Sequence, residues 1–92
     1  GKTCPGINGI LEEGEEILGE FKKAPALDAG LVAAAQAVEH YEITRYGTLV
    51  AWARELGRAD CAALLQQNLD EEKATDAKLT ELAEARVNRM AA

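Results

Sequence analysis

A chain of 92 residues, 48% apolar but only 4% aromatic, has room for one small domain whose core must be built from Ala, Leu, Val and Ile. Its net charge of -6 argues against a nucleic acid or an anionic membrane surface as partner, and no apolar run approaches the roughly 20 residues of a membrane span. Cys4 and Cys61 stand far apart and outside any metal-ligand spacing, which excludes a disulfide framework and points to reduced thiols in the cytoplasm.

Residues 1–6 read as a lead-in, with Pro5 suited to a first helical turn. The opening at Gly1 rather than Met is read as the mark of a processed or truncated product. Gly1-Lys2-Thr3 copies the tail of a phosphate-binding loop, but the upstream glycines and strand are missing, so it is discounted. Ile7, Ile10, Leu11, Ile17, Leu18 and Phe21 recur at helical spacing and predict an amphipathic helix near 6–21, with Gly14 on the same face marking a close contact. Asp28 is read as the N-cap of a second helix near 28–56. The seam of that helix runs Val32, Ala35, Glu39, Glu42, Tyr46, Leu49, Ala53, Leu56, and Gly57 stops it. A third helix near 58–90 carries the seam Ala62, Leu65, Leu69, Glu72, Asp76, Leu79, Ala83, Val87. The expected fold class is all-α: one short helix followed by a long antiparallel helical hairpin in a single domain, 1–92.

Four carboxylates interrupt these seams. A tight reversal at Gly57 makes facing positions sum to about 115, good to a helical turn. Glu39 then faces Asp76, Glu42 faces Glu72, and Leu49 faces the Leu65/Leu69 level. Converging carboxylates need protons, basic partners, water or a metal. Hard oxygen donors on facing helices suit iron or manganese, which makes Glu39, Glu42, Glu72 and Asp76 candidate metal ligands with Tyr46 behind them. His40 lies one step off the seam and would reach only if the helix turned. Two other readings stay open: a buried cluster neutralised by shared protons or by Lys73 and Arg45, and simple partial exposure. Cys61 and Trp52 are read as packing residues, Trp52 at a helix or subunit contact.

The phrases Gly9-Ile10-Leu11-Glu12-Glu13-Gly14-Glu15-Glu16, Ala37-Val38-Glu39-His40-Tyr41-Glu42-Ile43, Tyr46-Gly47-Thr48-Leu49 and Asp70-Glu71-Glu72-Lys73-Ala74-Thr75-Asp76 resemble the YciF-like bacterial family, a ferritin-like helical family. The likeness covers nearly the whole chain. It implies a ferritin-like four-helix bundle, a dimeric habit and an association with stress responses. It also implies that two further long helices, with their share of metal ligands, precede the matching part. This chain would then carry the second half of the bundle, completed by homodimerisation. An alternative is a non-enzymatic helical oligomerisation module, or a remnant that binds no metal.

Overall fold

Gly57 sets the architecture. In the computed structural model, which describes residues 1–92, it adopts φ 72°, the left-handed conformation that only glycine enters freely. The Gly57 amide donates to the Arg54 carbonyl at 3.0 Å and the Arg58 amide to the Ala53 carbonyl at 2.8 Å. These two bonds close a Schellman motif. They end α2 (Leu27–Glu55) and start α3 (Ala59–Leu82) within three residues. The result is the antiparallel hairpin expected from the sequence, with α1 (Pro5–Glu20) packed ahead of it.

Two local expectations are corrected. Asp28 is not the N-cap of α2: the helix begins at Leu27 after Ala26, with no side-chain cap. Lys23 turns the chain at φ 68°, and the Leu27 amide donates to Ala24 and that of Gly30 to Ala26, so the helix starts ahead of the aspartate. Asp28 instead sits in the first turn, where its charge meets the positive end of the helix dipole. The third helix is not regular to residue 90. It widens into a π-turn at Ala83–Val87 before a last short helix, α4 (Asn88–Ala91). The turn keeps Val87 in the core at 8% exposure.

The α3 seam holds along its length, since every residue assigned to it is buried or half-buried. In α2 it drifts toward the C-terminus. Val50 is in the core at 3% exposure, whereas Leu49 is 40% exposed and Leu56 is 78% exposed. A straight helix gains phase over a strict seven-residue pattern, so Val50, one residue on, takes the place expected of Leu49.

Glycine and alanine let α1 lie close on α2. A Cβ on Gly30 would stand 2.7 Å from Ile17 Cγ2, one on Gly6 2.7 Å from the Tyr41 ring, and one on Gly14 3.7 Å from Ala34. The Gly14 contact is the one its place on the helix face predicts. α1 touches α2 and no other element. The three helices therefore lie side by side with α2 in the middle, in a slab of 50 × 31 × 13 Å. That is one helix thick, where a bundle domain has two layers. Only five residues are buried, namely Val50, Ala53, Ala62, Leu69 and Val87.

Candidate functional site

The candidate ligands sit midway along α2 and α3, where the hairpin holds two helices in register. Glu39, Glu42, Glu72 and Asp76 are all half-buried. The hairpin brings only Glu39 and Glu72 of the four together, one turn away from the expected Glu39–Asp76 and Glu42–Glu72 partners. Glu72 meets Glu39, and that neighbour, together with burial, holds the Glu72 carboxyl above the usual carboxylate range. Asp76 meets Gln36 and His40. Glu42 makes no hydrogen bond or ion pair.

The Glu39–Glu72 contact explains its own electrostatics. Glu39 Oε2 is buried and has no hydrogen-bond partner. Two ionised carboxylates offer only acceptors, so the pair is satisfied only when a proton, a water or a cation lies between them. The close approach of Glu39 is the largest cause of the raised Glu72 carboxyl, ahead of burial. A proton retained on Glu72 is the donor that Glu39 Oε2 lacks.

One turn further on, Asp76 is well satisfied. His40 Nε2 lies 3.0 Å from Asp76 Oδ1. Gln36 Nε2 donates to the same oxygen at 3.3 Å and to Thr80 Oγ1 at 2.8 Å. Gln36 and His40 are four residues apart and so share a helix face, from which both side chains lean across to Asp76. His40 thus reaches the seam without any turning of the helix. Its alternation with Gln36 was the available signal, hidden because neither residue is apolar.

The basic residues considered as neutralisers do not reach these acids. Arg45 lies over the Tyr41 ring, 5.1 Å from its centroid, and Lys73 is exposed and forms no ion pair. Tyr46 is half-buried with no hydrogen bond, whereas Tyr41 is engaged: its hydroxyl lies 3.0 Å from Cys4 Sγ. Cys4 caps α1 and accepts from the Ile7 amide at 3.5 Å. The Tyr41 hydroxyl, then the Ile7 amide, hold its thiol below the ordinary cysteine range.

No three His, Cys, Asp or Glu side chains of the chain come close enough together to hold a metal ion. The geometry is thus a pair of hard-oxygen donors with one unsatisfied atom, beside a separate Asp–His pair, both opening from one two-helix wall.

The family model of a domain of unknown function, DUF892, matches residues 1–92. The chain belongs to this family. It is 50% identical to the protein YciF of Escherichia coli (strain K12) over 88 residues, which is 96% of this chain and 53% of YciF. Among solved structures, the E. coli stress protein YciF superposes with a TM-score of 0.89 at 49% identity, covering 96% of this chain and 55% of that one. YcfI from Rhodopseudomonas palustris superposes with a TM-score of 0.83 at 55% identity, covering 87% of this chain and 51% of that one. The chain therefore spans about half the length of the DUF892 relatives it matches. The all-helical architecture agrees with these neighbours, and no helix is long and apolar enough to cross a membrane.

Proposed function

We propose that this chain is the carboxylate-bearing half of a ferritin-like, stress-associated protein that acts in the cytoplasm as a homodimer and holds one or two metal ions between its helices. Glu39 and Glu72 are the central ligands, with Glu42 and Asp76 beside them. The observation that carries the reading is Glu39 Oε2, a buried carboxylate oxygen without a partner next to a second carboxylate. Such an arrangement is costly unless a cation or a proton compensates it.

The donor set fits iron or manganese by its chemistry, hard oxygens with one imidazole nearby. It fits only in part by number, since fewer than three such side chains meet within the chain. Further ligands have to come from outside this hairpin. A bound iron or manganese would supply Lewis acidity or one-electron chemistry there. The part played by the chain is to hold two acids at one level and to bias one of them toward its protonated form while no cation is present. Elemental analysis after incubation with iron(II) or manganese(II) tests this. The expected result is bound metal that is lost in both Glu39→Ala and Glu72→Ala. Equal metal content in the variants and the wild type overturns it.

A second reading has its own support. The bonds of Gln36 to Asp76 and Thr80, together with the His40–Asp76 pair, pin the register of two helices without any metal. Polar contacts between helices serve that purpose in helical assemblies, and this network is part-exposed. In a non-enzymatic oligomerisation module, replacing Glu39 and Asp76 by Leu yields a dimer of higher melting temperature that binds no metal. A variant that loses both metal and its assembly supports the first reading.

A further inference from the structure

We draw no further inference here: the strongest candidate, the side-chain cluster at the start of α1 in which Cys4 Sγ lies 3.0 Å from the Tyr41 hydroxyl with Arg45 over the Tyr41 ring, is a single cysteine at a helix N-terminus, and no second feature of the structure points to a ligand there.

Discussion

Glu72 ties the candidate site to pH. Its carboxyl is held above the ordinary value by Glu39 and by burial, so the folded chain binds its proton more tightly than the unfolded one. The stabilisation from that proton is full below the ordinary glutamate value of 4.5 and is lost as pH rises through the raised value. Glu72→Gln removes this dependence and gives Glu39 a permanent donor. The variant should match the wild type at acid pH and exceed it in urea unfolding at neutral pH, the gap widening as pH rises. A gap that is constant with pH removes the shared-proton account. A second residue-scale test is Gly30→Ala. The new Cβ would stand 2.7 Å from Ile17 Cγ2, a branch with little rotamer freedom. Overpacking of about 1–3 kcal/mol should outweigh the ~1 kcal/mol gain in helix propensity, so the melting temperature falls. The sequence shows at this scale which acids are out of place, because four carboxylates break an apolar period. It does not show their pairing, because a one-turn offset decides between Asp76 and Glu72 as the partner of Glu39.

Secondary structure was legible at the level of elements. Helix α1 starts and ends within one residue of its expected limits, and α2 and α3 meet at Gly57 as composition and capping chemistry require. The π-turn at Ala83–Val87 was not legible, since Ala-Glu-Ala-Arg-Val is a sequence of ordinary helix formers. Asp28 misled for a related reason: the turn before α2 is set by backbone bonds to Ala24 and Ala26, which leave no mark in residue type. Gly57→Ala should destabilise the chain by about 1–2 kcal/mol, the cost of a left-handed backbone at a residue with a Cβ, while helix content at low temperature stays near that of the wild type. Leu69→Ala, at one of the few buried large side chains, should cost about 2 kcal/mol. That is the low end of the range for such truncations, because a thin core collapses into the gap more readily than a thick one.

A slab one helix thick, 13 Å in its least dimension, buries little of its apolar surface. Sixty-five of the 75 backbone hydrogen bonds lie within helices and the other ten are local turns and caps, so cohesion between helices comes from side chains alone. With five buried residues, that cohesion is small; if the proposed homodimer forms, the melting temperature should rise with protein concentration, since a partner that binds only the folded state stabilises it by mass action. A melting temperature constant from 1 to 100 μM would mark a self-sufficient monomer. The family likeness conveyed the helices and their order, but not the thinness, which depends on α1 and α3 taking opposite edges of α2. That placement has a consequence for motion. With no direct link between α1 and α3, any cooperativity between the outer helices has to pass through α2. Amide deuteration should therefore spread from α1 first, as the N-terminal helix detaches and returns while the hairpin at Gly57 stays closed.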